Sequence, residues 1–271
     1  MISNPKFLNL VLLNGEPERK LCAARRAGFE QVEIWKEDVQ ASTQGAIGLA
    51  QLAKQQQLSF TNLQVLRDFT GIPDIERYHK RQELYQFIQI ANKLGCDTIQ
   101  APASTRKDCI AERIDEDLCW MALELARYNM RIMYEPMAWC SIDNTLPQAW
   151  KRLKRLKQPN IGLVVDLFHI CALGGDESQL DGIPVDQIYE VQLCDIAAIP
   201  AQKNEDLIFV ARHQRLLPGD GIIRIEYFID KLKKSGYNGP IGIEVFNDLL
   251  QKQPAEIVAQ QAWQALNRYW P

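Results

Sequence analysis

Apolar residues along this chain gather in eight short runs, and between them apolar positions recur every three or four residues. The runs are FLNLVLL from Phe7, QVEIW from Gln31, SFTNLQVL from Ser59 and TIQAPA from Thr98. RIMYEP from Arg131, IGLVVD from Ile161, YEVQLCD from Tyr189 and IGIEVF from Ile241 complete them. They are too short and too rich in Val and Ile for helices, and turn residues bound them, so they predict strands. In the intervening segment that ends at Gly95, Leu84, Phe87, Ile88, Ala91 and Leu94 follow the i, i+3, i+4, i+7 pattern of an amphipathic helix, with glycine at the expected C-cap. Tyr227, Phe228 and Leu232, with a stop at Gly236, repeat the pattern. Strands alternating with helices, with no linker or low-complexity stretch, predict a (β/α)8 TIM barrel: one α/β domain over residues 1–271. The competing architecture is a doubly wound open sheet, but no G-x-G-x-x-G or G-x-x-x-x-G-K-S/T follows any strand. After the sixth strand, CALGGDESQLDGIPVDQ supports only a short helix.

Composition narrows the partners. A net charge of -3 and a pI near 5.7 give no broad basic field, against non-specific DNA or RNA binding. MISNPKFLNLVLLNG lacks the layout of a signal peptide, and no apolar run approaches the roughly 20 residues that span a bilayer. Seven cysteines with no C-x-x-C suggest neither a disulfide framework nor a zinc knuckle. Most are expected to be small core residues in a reducing cytosol, so a cytoplasmic location without nucleic-acid or membrane partners is expected; a homo-oligomer is compatible with this composition.

Candidate chemistry comes from the strand ends, where barrels of this kind carry their catalytic groups. Strand 5 ends at Glu135, strand 6 at Asp166, strand 7 carries Gln192 and strand 8 carries Glu244. Any one acid at a strand end is commonly a helix N-cap or a surface ion-pair partner. Four metal-capable side chains on four successive strand ends are harder to explain that way. Three carboxylates in a water-poor site repel one another, and a divalent cation with an amide oxygen as a fourth donor relieves them. Oxygen donors without a thiolate favour Mg²⁺ or Mn²⁺, with Co²⁺ a substitute in vitro.

Of the three histidines, His79 sits in a polar helix and is expected to face solvent. His169, three residues after Asp166, is the natural acid or base beside such an ion, and His213 lies in a second candidate loop. Arg67 follows strand 3, and ARHQRLLPGDG after strand 7 holds Arg212, His213 and Arg215. Arginines at the mouth suit a substrate carboxylate or phosphate, whereas the plainer reading pairs Arg67 with Asp68 or Glu33.

YEPMAW, GLVVDLFH, VQLCD, RHQRLLPGDG and GIEVFND resemble, in this order, the signatures of bacterial 3-dehydroshikimate dehydratases of the xylose-isomerase-like barrel superfamily. ARRAGFEQVEIWKEDV and LRDFTG fit the same family, so the resemblance runs from about Ala24 to Asp248. It implies a divalent metal on Glu135, Asp166, Gln192 and Glu244, a catalytic His169, and substrate contacts from Arg67 and Arg215; His213 is a further candidate contact. Sugar isomerases and epimerases of the superfamily more often have histidine at the strand-7 position, so Gln192 favours the dehydratase branch. Departures include Ala211 in place of an expected serine, and Leu167 and Cys140 in place of smaller residues. Some members carry a dioxygenase-like C-terminal domain, which is not expected in a chain ending at Pro271, just after its eighth helix.

The implied reaction turns 3-dehydroshikimate, a small carboxylate, into protocatechuate. The metal stabilises an enolate, and His169 takes the α-proton and assists the departing hydroxyl. The rivals are a sugar or inosose isomerase, epimerase or dehydratase with the same chemistry, an abasic-site endonuclease, and a barrel that only binds a ligand.

Overall fold

Strands form where the Val/Ile-rich runs fall. The computed structural model describes residues 4–271 and places β1 at Lys6–Asn9, β2 at Gln31–Trp35, β3 at Ser59–Gln64 and β4 at Thr98–Pro102. β5 is Arg131–Glu135, β6 Ile161–Asp166, β7 Ile188–Leu193 and β8 Ile241–Ile243. They pair in chain order, all parallel, and β8 returns to β1 to close a barrel. The strands are buried almost throughout, because helices cover the outside and side chains fill the lumen.

Outside the barrel run α1 (Pro17–Ala27), α2 (Lys36–Ala41), α3 (Gly45–Gln55), α4 (Asp74–Leu94) and α5 (Ile114–Ala126). α6 (Leu146–Leu156), α7 (Leu167–Ala172), α8 (Asn204–His213), α9 (Ile225–Ser235) and α10 (Ala255–Tyr269) follow. α4 buries the five apolar residues of its predicted stripe and ends at Gly95 with φ 71°, a left-handed cap that only glycine adopts without strain. The short helix expected after β6 is α7, of 6 residues.

β1 and β8 stop furthest short of the ends of their apolar runs. β1 stops because the Asn9 side chain accepts the Val11 N–H at 3.0 Å and turns the chain into a 3-10 turn. β8 ends at Ile243 beside a tight closure: a Cβ on Gly242 would lie 2.1 Å from the Phe7 carbonyl oxygen.

The lumen is not wholly aliphatic. Glu33 of β2, Asn62 of β3, and Glu190 and Gln192 of β7 are all 0% exposed and linked across it. Asn62 donates to Glu33 at 2.9 Å and to Glu190 at 3.3 Å. Burial first, then Glu190, pushes the Glu33 carboxyl well above its usual range, and burial raises Glu190 to about 7.

Candidate active site at the C-terminal mouth of the barrel

Because all eight strands run the same way, their C-terminal ends share one rim. Glu135 closes β5, Asp166 closes β6, Gln192 lies near the end of β7 and Glu244 directly follows β8. The structure brings all four to this rim, each at most 4% exposed. Each is held at one end by a neighbour. Glu135 Oε2 accepts from Gln100 Nε2, and Glu244 Oε1 from Asn9 Nδ2, both at 2.8 Å. Asn9 in turn accepts the Trp35 indole N–H at 2.8 Å. Gln192 donates Nε2 to Glu33 Oε1 at 2.8 Å, and its own Oε1 has no partner. Asp166 serves twice: Oδ1 caps α7 by accepting the Phe168 N–H at 2.7 Å, while Oδ2 accepts from Arg215 Nη1 at 2.8 Å. One oxygen of this aspartate thus caps a helix, as a strand-end acid commonly does, while the other lies at the rim against Arg215.

The acids crowd one another in a dry setting. Burial, then the charge of Asp166, raises Glu135 to about 8; burial holds Glu244 well above its usual range. Arg215 is the cation among them, its Nη1 lying 3.1 Å from Glu244 as well as against Asp166. Burial opposes its charge, but Asp166 and Glu244 outweigh that and raise it above its ordinary value. Phe168 and Phe246 flank the guanidinium at 4.5 and 5.3 Å.

His169 enters the same group: donor atoms of Glu135, Asp166 and His169 lie within 4.8 Å of one another, an arrangement able to hold a metal ion. The imidazole has a further constraint. Its Nδ1 accepts the Ala138 backbone N–H at 3.2 Å, so the proton sits on Nε2, 3.4 Å from Asp166 and 3.6 Å from Glu135. A protonated Nε2 cannot ligate a cation. Burial lowers His169 to about 3, so the ring is a neutral hydrogen-bond donor at physiological pH. That leaves the carboxylates of Glu135 and Asp166 as oxygen donors in this group, with Glu244 at the same rim and the buried Oε1 of Gln192 without a partner.

A cavity opens above this group, lined among others by Trp35, Arg67, Glu135, His169, Arg212 and Glu244. Arg67 stacks over Trp35 at 5.5 Å. It pairs with neither acid of the plainer reading: Asp68 accepts from Thr105, and Glu33 is locked in the lumen. Neither Arg67 nor Arg212 forms a salt bridge with a described residue. Burial, with Arg212 nearby, lowers Arg67 from its ordinary value. The loop is thus divided differently from expectation. Arg212 and Arg215 both line the cavity, Arg215 with its Nη1 on the carboxylates beneath, and His213 turns away, its Nδ1 3.1 Å from Asp248 at the surface. His213 is the one candidate not brought to the mouth, because α8 continues through it and places its neighbour Arg212 on the inner face. Ala211 buries its methyl at the cavity, and its carbonyl accepts Arg215 Nε at 2.9 Å.

Asp195, the last residue of VQLCD, organises this loop. Each of its oxygens accepts two backbone N–H groups: Oδ1 from Ile196 and Ile223, Oδ2 from Gly219 and Gly221. A Cβ at Gly221 would lie 2.2 Å from the Ile196 carbonyl oxygen and 2.5 Å from the carboxylate, which accounts for the second glycine of PGDG. The seven cysteines are unpaired; Cys96, Cys140 and Cys194 are buried, and the other four are partly buried, Cys109 and Cys171 packed against the core.

The geometry defines a TIM barrel whose C-terminal mouth carries a buried acidic group able to hold a metal ion. More narrowly, the chain belongs to the xylose isomerase-like TIM barrel family, which matches residues 21–268. It is 31% identical over 264 residues to a 3-dehydroshikimate dehydratase of Pseudomonas aeruginosa, covering 94% of this chain and 40% of that protein. It is 30% identical over 164 residues to an inosose isomerase of Halalkalibacterium halodurans, covering 58% of this chain and 56% of that one. A solved fusion of a xylose isomerase-like TIM barrel with a 4-hydroxyphenylpyruvate dioxygenase superposes with a TM-score of 0.91 at 27% identity, over 97% of this chain and 42% of that chain. The chain therefore spans about two-fifths of the dehydratase and of the fusion protein. No helix among the described residues is long and apolar enough to cross a membrane.

Proposed function

We propose that this protein dehydrates 3-dehydroshikimate to protocatechuate at the mouth of its barrel, the activity named for its Pseudomonas aeruginosa relative. One observation carries the reading: a single cavity combines the buried acids with two arginines, Arg67 and Arg212, that have no carboxylate partner of their own. A substrate carboxylate supplies that partner, and inososes and ketoses have none. The inosose isomerase relative keeps a second reading open on the same acids, and the arginines separate the two.

Glu135, Asp166, Gln192 and Glu244 would hold one divalent ion, and their oxygen donors suit Mg²⁺ or Mn²⁺. Such an ion, when bound, polarises the substrate ketone and makes the adjacent carbon acid easier to deprotonate. Arg67 and Arg212 grip the carboxylate and fix the ring in the cavity. The reaction removes the proton α to the ketone, expels the β-hydroxyl as water, and ends in tautomerisation to the aromatic ring. His169, a neutral imidazole with its proton on Nε2, is placed to donate a hydrogen bond to the departing hydroxyl rather than to take the α-proton, which leaves on that hydroxyl as water.

Three measurements test this. The protein is incubated with 3-dehydroshikimate and Mn²⁺ or Mg²⁺, and the ultraviolet absorbance of the aromatic product is followed. No product with any divalent ion overturns the reading, while turnover of inososes alone favours the rival. Arg67→Ala and Arg212→Ala are each expected to raise KM about 10–100-fold with a smaller change in kcat, from loss of a charged hydrogen bond. An unchanged KM in both would remove the carboxylate argument. His169→Ala is expected to lower kcat about 100-fold, and His169→Gln, whose amide N–H can still donate, to recover about tenfold of it. If glutamine is as inactive as alanine, His169 acts as the base.

A further inference from the structure

We infer that Glu33 is a positioning residue that decides which end of the Gln192 amide faces the mouth. An amide side chain has two opposite ends, and only the oxygen can serve a cation. Gln192 Nε2 donates to Glu33 Oε1 at 2.8 Å, so the nitrogen is drawn toward β2 and the carbonyl oxygen is left buried without a partner. The same Glu33 oxygen accepts the Asn62 amide at 2.9 Å. Two N–H donors on one oxygen fix it as an acceptor. Turning the Gln192 amide over would set two acceptor oxygens, its own and that of Glu33, face to face. Glu33 is 0% exposed, so bulk solvent does not compete for this bond. The residue touches no substrate; it acts through Gln192, and the inference rests on the metal reading proposed above.

The test reads Mn²⁺ binding to EDTA-stripped protein, by electron paramagnetic resonance and calorimetric titration with Mn²⁺ alone, so turnover of 3-dehydroshikimate does not enter. Glu33→Met keeps the length and removes the acceptor, and is expected to weaken Mn²⁺ binding about 10–100-fold, the usual effect of losing a group that orients a ligand. Glu33→Gln retains a carbonyl acceptor and stays close to wild type. In a Gln192→Ala background, Glu33→Met adds no further loss. A folded Glu33→Met protein that binds Mn²⁺ like wild type overturns the inference. So does an equal loss with and without Gln192, since that marks a general structural effect. Wild-type protein that takes up no Mn²⁺ removes the metal reading and this inference together. If the methionine variant does not fold, the pair Gln192→Ala and Glu33→Gln/Gln192→Ala decides: different Mn²⁺ affinities for the two would overturn the inference.

Discussion

Arg215→Met is expected to destabilise the metal-free protein by about 3–5 kcal/mol at neutral pH, because it leaves buried carboxylates without their cation. Arg215 is 2% exposed and bridges Asp166 and Glu244 through one nitrogen. Methionine fills much of the volume between Phe168 and Phe246, so packing alone does not produce such a loss. The deficit depends on pH in a definite sense. Glu135, whose carboxyl rises from 4.5 to about 8 on folding, binds its proton more tightly in the folded state, so stability falls as pH climbs between those values. Arg215 opposes that rise, and its removal steepens the fall. Denaturant midpoints in EDTA at pH 5 and pH 8 check this, with the larger deficit at pH 8. Mn²⁺ should restore the variant more than it stabilises wild type, since no guanidinium has to be displaced. A variant as stable as wild type in EDTA at pH 8 would show that the bridge contributes nothing.

Asp195→Asn is expected to cost about 2–6 kcal/mol, a large effect for the change of one atom. Each carboxylate oxygen receives two backbone N–H groups, so whichever way the asparagine amide turns, its NH₂ faces two donors. Two buried N–H groups then lack an acceptor. The loop that carries Arg212 and Arg215 is pinned by those same bonds, so the variant should also lose substrate affinity. Urea unfolding and KM together check it; a loss below about 1 kcal/mol would mean that the loop is held by other contacts.

The barrel was legible because each parallel strand is buried on both faces and reads as a compact Val/Ile run, while each helix shows one apolar stripe. The four rim residues were legible because polar groups closing apolar runs stand out. What stayed hidden is pairing across distant segments. Glu33 and Glu190 sit in the middle of strands, where alternation suggests an ordinary outward-facing acid, and only the closed lumen shows them meeting through Asn62. Asn9 and Gln100 look like ordinary strand residues until Glu244 and Glu135 arrive beside them. Arg212, His213 and Arg215 fall in one short stretch of sequence, and their directions depend on where α8 stops, which spacing does not fix. The four-fold acceptor role of Asp195 had a signal in the paired glycines of PGDG, which leave room for backbone to approach a carboxylate.

The polar lumen also bears on how the chain reaches this state. Glu33 and Asn62 meet Gln192 and Glu190 over separations of 159 and 128 residues, so these bonds form only when β7 docks against a sheet already curled. Until then the concave face of the half-built sheet presents amides and carboxyls to water instead of a hydrocarbon trough. A partly folded chain is therefore less adhesive on that face, and dehydration of the lumen is deferred to closure, the step that also sets strand order.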